Sequence, residues 1–274
     1  MNWFESLIYG AVSGITEFLP ISSFAHQKIL LKLFGVSAHD PLLDLFVHLA
    51  LLAAIVIGGK TLLDQLQRGR HLRKNNRRGV RGNNDVLEMR FLKNAAIPML
   101  IVYFVLMKCI PLENNMLAVS IFSLINALII FFSSRIMHGT KDEHSISILD
   151  SILVGLAGAL SVFPGISRVA AMLAMSTICG IEKKKATNWV LLLNIPALLL
   201  LIVIDIFSLF SAVSRANICG NLGTYILSAI GAFSFGYVGV LLTKSISIGK
   251  DNSKYSFYAF GVTLFSLFLY LLVA

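Results

Sequence analysis

Leu19-Pro20-Ile21-Ser22-Ser23 and Pro164-Gly165-Ile166-Ser167-Arg168 each interrupt a long apolar stretch near its middle, residues 3–36 and residues 148–180. A proline inside a helix removes a hydrogen bond and clashes with the preceding turn. Polar, non-helical backbone at membrane depth survives only inside protein or beside a water-filled cavity. Each stretch therefore reads as a re-entrant helical hairpin whose tip lies inside the protein, and not as a spanning helix.

The membrane setting follows from composition. Apolar residues make up 57% of the 274-residue chain and charged residues only 14%, against about 25% charged in soluble domains. Crossing a bilayer takes about 20 mostly apolar residues. Six further stretches meet that length, at about 41–59, 94–112, 116–137, 186–208, 222–243 and 255–273. Glu5 and Glu17 in the first segment, and the turn it leads into, argue against a cleavable signal peptide. The expected fold is a single all-α polytopic membrane domain over 1–274, with six transmembrane helices and two re-entrant hairpins.

The two hairpins are related. A shift of 145 residues lays Gly10 on Gly155, Phe18 on Phe163, Ile21 on Ile166 and Ser22 on Ser167. Three spans follow each hairpin, so the chain divides into a first repeat at about 1–137 and a second at about 148–274.

Charge sets the expected topology. Between Lys60 and Lys93 there are ten Lys/Arg and three Asp/Glu, a net of +7. The positive-inside rule makes residues 60–93 a cytoplasmic loop that also suits anionic lipid head groups. Phe91 is the single Phe, Tyr or Trp among these charges, too few for a base-stacking surface, so no nucleic-acid partner is expected. Counting spans from this loop, Arg135, Lys141, Lys183 to Lys185, Lys244, Lys250 and Lys254 all fall on the cytoplasmic side. Both chain ends then lie outside, the first hairpin opens outward and the second inward. That is an inverted-topology repeat, with its special residues near the midplane. Cys109, Cys179 and Cys219 have no metal-type spacing.

Ionisable groups at membrane depth are costly and mark function. Glu17, His26 and Arg168 sit in or beside the breaks. The half-helices after Ile21 and Ile166 point their N-termini inward, where free amides and the helix dipole favour an anion. Arg168 adds a planar fork suited to phosphate oxygens. Ser22, Ser23 and Ser167 add hydroxyls, which also suit helix caps. Glu17 beside a phosphate requires a divalent cation or a proton between them. His26 can move a proton near neutral pH.

These residues carry a resemblance. Gly14-Ile15-Thr16-Glu17-Phe18-Leu19-Pro20-Ile21-Ser22-Ser23-Phe24-Ala25-His26 resembles the first signature of the undecaprenyl-diphosphate phosphatase family, the bacitracin-resistance type. Phe163-Pro164-Gly165-Ile166-Ser167-Arg168 resembles the second. Leu45-Phe46-Val47-His48-Leu49, Asp150 and Asn194-Ile195-Pro196 also fall where family-like segments are expected. The resemblance implies interlocked inverted repeats in the bacterial cytoplasmic (inner) membrane. It implies hydrolysis of undecaprenyl diphosphate to the monophosphate, in a pocket open to the outside, with a divalent cation such as magnesium or calcium. That reaction recycles the lipid carrier for peptidoglycan. By position, Glu17, Ser23, His26 and Arg168 match the family's catalytic residues, and Glu17 its metal ligand. Ser22, Gly165, Ser167 and Arg168 are the expected phosphate-binding set. The sequence departs from the family at Ser13, where an acid is usual four residues before Glu17. It departs again at Val169-Ala170-Ala171-Met172, where hydroxyls are usual. A second reading is a flippase for a phosphorylated lipid, because broken helices meeting at the midplane are also transporter architecture.

Overall fold

In a computed structural model the chain is described over residues 1–36, 40–64, 80–109, 115–136, 139–212, 218–246 and 253–272. Among these residues the fold is helical. Helix α1 (Trp3–Phe18) starts on a capping box, in which Asn2 accepts from Glu5 N and Glu5 accepts from Asn2 N. It stops at Leu19, whose extended backbone is what a following proline requires. The next helix, α2 (Ser23–Leu33), is capped by Ser22. Helix α3 (Pro41–Gly58) follows an Asp40 cap and has proline in its first turn. Helices α4 (Val80–Cys109) and α5 (Met116–Ser133) complete the first half. In the second half, α6 (Ile148–Ala159) ends in a 3-10 turn, Leu160–Val162. The chain then breaks and resumes in α7 (Arg168–Ile178), capped by Ser167. The last three helices are α8 (Lys183–Ala212), α9 (Ile218–Ile246) and α10 (Ser253–Leu271).

Six helices are long and apolar enough to cross a membrane: Pro41–Gly58, Leu87–Cys109, Met116–Ser133, Lys183–Phe210, Leu222–Ser245 and Lys254–Leu271. They coincide with the six expected stretches, and the protein is a multi-pass membrane protein. One expectation needs correction. Residues 60–93 are not a loop throughout: α4 already begins at Val80, and its first turns carry the charges that made the segment look like a connection. Residues 65–79 lie outside the described residues.

The packing is reciprocal between halves. Helix α1 lies along α9, and α6 lies along α4; α3 packs on α8 and α9, α5 on α10, and α7 on α5, α6 and α8. At the two long crossings the backbones approach closely, through small residues. A Cβ added to Gly10 would lie 1.9 Å from the Ser228 carbonyl oxygen, and one added to Gly155 would lie 2.1 Å from that of Ala95. Gly10 and Gly155 are the pair that the 145-residue shift superposes. Valine at either position is expected to lower the melting temperature in detergent sharply, since overpacking alone costs about 1–3 kcal/mol. Gly261→Ala, which meets nothing within 4 Å, is expected to leave it unchanged. Equal melting curves for all three variants would refute the close crossings.

Two sets of contacts bring basic segments together. Lys141 N donates to the Gly180 carbonyl at 2.9 Å and Glu182 N to the Lys141 carbonyl at 3.0 Å, joining the loop after α5 to the loop before α8. Lys185 pairs with Glu143 there. Burial opposes the charge on Glu143, but the hydrogen bond from Lys185 outweighs it and holds the carboxyl below its ordinary value. At the other cluster, Lys244 Nζ donates to the Gly58 carbonyl at 2.7 Å, a cation on the C-terminal end of α3.

Candidate functional site

The two chain breaks touch. Ser167 Oγ donates to the Leu19 carbonyl at 3.2 Å, and Ser167 N donates to Asn126 Oδ1 of α5 at 2.9 Å. Gly165 has φ +126°, and an added Cβ would lie 2.4 Å from Ser123 N. Both the turn and its packing on α5 therefore need glycine. Beside it Ser123 Oγ is fully buried and has no partner among the described residues.

This contact sets the start of α7 against the end of α1. Arg168 Nη1 lies 3.3 Å from Glu17 Oε1, with the two side chains 9% and 11% exposed. The same nitrogen donates to Asn194 Oδ1 of α8 at 3.3 Å, and Arg168 Nε donates to Ser161 Oγ at 3.4 Å. Asn194 is aimed by its own Nδ2, which donates to the Val190 carbonyl one turn back at 2.9 Å. Desolvating an ion pair is costly, and its retention inside a membrane protein is characteristic of a functional centre.

The serines divide between capping and bridging. Ser22 and Ser167 accept from Ala25 N and Ala170 N. Ser22 and Ser167 are thus helix caps, and among the described contacts the first-turn amides without a cap bond are those of Ser23 and Phe24, and of Arg168 and Val169. Ser23 is buried, and its hydroxyl donates to the Ser13 carbonyl at 3.5 Å. Ser13 is fully buried, and its hydroxyl accepts from Gln27 Nε2 at 3.1 Å. Ser13, four residues before Glu17, thus carries an α1–α2 hydrogen bond.

His26 has other partners. Its Nδ1 donates to the Ser22 carbonyl at 2.6 Å, which leaves Nε2 to accept from Tyr258 Oη of α10 at 2.8 Å. The two rings stack. Among the described contacts the structure does not bring His26 to Glu17 or Arg168. Instead His26 and Tyr258 line an apolar cavity of about 990 Å³ between α1, α2 and α10, walled by Val12, Ile15, Ile29 and Phe265.

Sequence reasoning gave no role to a second buried pair, His48 of α3 and Asp205 of α8. Here Nδ1 donates to Oδ2 at 2.6 Å. The signal was present: Asp205 is the only acid in the 186–208 stretch. Attention to the chain breaks alone passed over it.

For a divalent cation, no three His, Cys, Asp or Glu residues among those described are grouped to hold one. Glu17 is the carboxylate at the Arg168 centre. This suits a hard cation that takes one protein carboxylate and draws its other ligands from substrate phosphates and water.

Comparison with known proteins gives a consistent result. A family model described as bacitracin resistance protein BacA matches residues 6–265. The undecaprenyl-diphosphatase of Thermosipho melanesiensis is 32% identical over 268 residues, covering 96% of this chain and 98% of that protein. Undecaprenyl-diphosphatases of Treponema denticola and a Synechococcus strain are each 31% identical, over 256 and 274 residues. The first alignment covers 91% of both chains; the second covers 98% of this chain and 94% of its relative.

Proposed function

This chain belongs to the bacitracin resistance protein BacA family, and on that premise we propose that it hydrolyses undecaprenyl diphosphate to the monophosphate and phosphate. The observation that carries the reading is the buried Arg168–Glu17 pair where the two chain breaks meet. A guanidinium and a carboxylate meet there, beside two helix starts that Ser167 Oγ joins through the Leu19 carbonyl, which suits a diphosphate with its counter-cation.

Arg168 would hold the diphosphate with the amides of Ser23 and Phe24. Asn194 and Ser161 keep the guanidinium turned towards α1. Ser23 is the nucleophile or a phosphate donor, and Ser22, Gly165 and Ser167 shape the two turns around the anion. Glu17 would hold a magnesium or calcium ion, exchanging its contact with Arg168 for the bound metal. When bound, such a cation neutralises phosphate charge as the anhydride opens. His26, with Tyr258, stands on the side of the apolar cavity, which suits the polyprenyl tail.

The reciprocal packing and the matched glycine crossings support the inverted repeat, with both breaks as re-entrant tips. The pairing of basic segments supports the orientation in which these lie in the cytoplasm and the pocket opens outward from the inner membrane. In that place the reaction would return the carrier lipid to peptidoglycan synthesis.

The test is phosphate release by the purified protein from short and long polyprenyl diphosphates, with and without chelator. Release that chelator abolishes is expected; lipid movement across vesicles without release would favour a flippase. The cavity makes a separate prediction. Gly261→Phe places a ring in open space, so KM should rise for undecaprenyl diphosphate and stay near normal for a short-chain substrate. An equal change for both would remove the cavity from tail binding.

A further inference from the structure

Helix α5 turns a polar face inward. Ser120, Ser123 and Asn126 lie three residues apart, and all three are buried, which is costly in a membrane span unless the groups have work to do. Ser120 Oγ pairs with Ser266 Oγ of α10 at 2.9 Å, a tie between two helices. Asn126 is placed differently. It is 1% exposed, and its Oδ1 accepts from Ser167 N, the last amide before Arg168. Ser167 is the cap residue of α7, so its own amide lies outside the helix ladder. The preceding turn does not use it either, since that turn closes from Ile166 N to the Phe163 carbonyl at 3.1 Å. Ser167 is buried, and a buried amide needs an acceptor. Among the described hydrogen-bond partners of residues 163–167, Asn126 alone comes from a spanning helix. The opposite side of the site has its own anchor: Thr243 Oγ1 of α9 donates to the carbonyl of Phe18, next to Glu17, at 2.5 Å.

We propose that Asn126 is a positioning residue for hydrolysis, fixing the Ser167 backbone and through it the placement of Arg168 against Glu17. The proposal rests on the hydrolase reading. Arg168 follows Ser167 and opens α7, so the amide that Asn126 holds and the guanidinium that would hold phosphate belong to adjacent residues. The contacts of the guanidinium are long, 3.3 Å to Glu17 and Asn194 and 3.4 Å to Ser161. Hydrogen bonds of that length are weak, so the aim of the side chain comes from the backbone beneath it. With Phe18 and Ser167 anchored by different helices, loss of the Asn126 anchor moves Arg168 and leaves Glu17 in place. A misplacement of about 1 Å can cost about 10²-fold in rate. Ser120 makes an equally buried hydrogen bond on the same helix, but to α10 and not to a chain break. The two residues therefore separate positioning of the site from simple fastening of α5.

The experiment is phosphate release from farnesyl diphosphate by the whole purified protein, with melting temperature measured in the same detergent, for Asn126→Leu, Asn126→Asp and Ser120→Ala. Leucine keeps the volume and removes the acceptor; aspartate keeps an oxygen where Ser167 N needs one. Asn126→Leu is expected to lower kcat/KM by about 10²-fold in folded protein. Asn126→Asp should recover most of that loss, and Ser120→Ala should leave kcat/KM unchanged. Repeating Asn126→Leu in an Arg168→Lys background tests the route. A flexible ammonium depends little on the placement of a fork, so little further loss is expected there. A full second loss would mean independent effects and overturns the proposal. Normal kcat/KM in folded Asn126→Leu also overturns it, as does a loss that Asn126→Asp does not relieve or that Ser120→Ala equals. If Asn126→Leu does not fold, Asn126→Ala replaces it, and failure of both to fold makes the residue structural and overturns the positioning role. Failure of the unaltered protein to release phosphate from farnesyl or undecaprenyl diphosphate is a separate result, which overturns the hydrolase reading itself.

Discussion

Arg168→Ala is expected to reduce phosphate release by about 10²–10³-fold, the loss typical when one preorganised donor is removed from a dry site. The geometry adds a second consequence. Arg168 is the partner of a Glu17 that is only 11% exposed, and removing one member of a buried pair costs about 3–5 kcal/mol. The alanine variant should therefore lose stability as well as turnover, and the two must be measured together. Arg168→Lys separates them. A lysine ammonium can restore the charge beside Glu17, but it cannot reproduce a fork that spans Glu17, Asn194 and Ser161. Melting temperature should recover in the lysine variant, while turnover recovers only in part. Near-normal turnover in a folded Arg168→Ala protein would remove this residue from the site.

Glu17→Gln is the second large effect. The amide keeps the shape and can still accept from Arg168, so the fold should hold. What disappears is the carboxylate that a divalent cation requires, and a loss of at least about 10²-fold in turnover is expected. Glu5→Gln is the matched control on the same helix. Glu5 belongs to the capping box at the start of α1, where its Oε2 accepts from Asn2 N at 2.8 Å. Its loss should cost under about 1 kcal/mol and leave turnover unchanged. Phosphate release and melting temperature, measured for both variants across a range of magnesium concentrations, check the contrast. Equal tolerance of the two substitutions would sink the role given to Glu17.

Ser13 is wholly buried; its hydroxyl accepts from Gln27 Nε2 and its backbone carbonyl accepts from Ser23 Oγ, so the position serves to hold α1 against α2.

The sequence by itself determined the elements and their breaks. Hydrophobic length alone found six spans, because the cost of exposing backbone and charge to lipid is paid locally by each segment. Proline, glycine and serine located both interruptions for the same reason: they act on their own turn. Glu17 and Arg168, 151 residues apart, were each legible as candidates because each flanks a break; their ion pair was not. Only the tertiary structure decided which other polar groups share that centre. It turned His26 towards Tyr258 and brought His48 to Asp205, 157 residues away. In a soluble protein an amphipathic stripe marks the inward face of a helix. A membrane helix is apolar towards lipid and towards its neighbours alike, so its rotation, and with it the partner of each buried charge, emerges only when the helices pack.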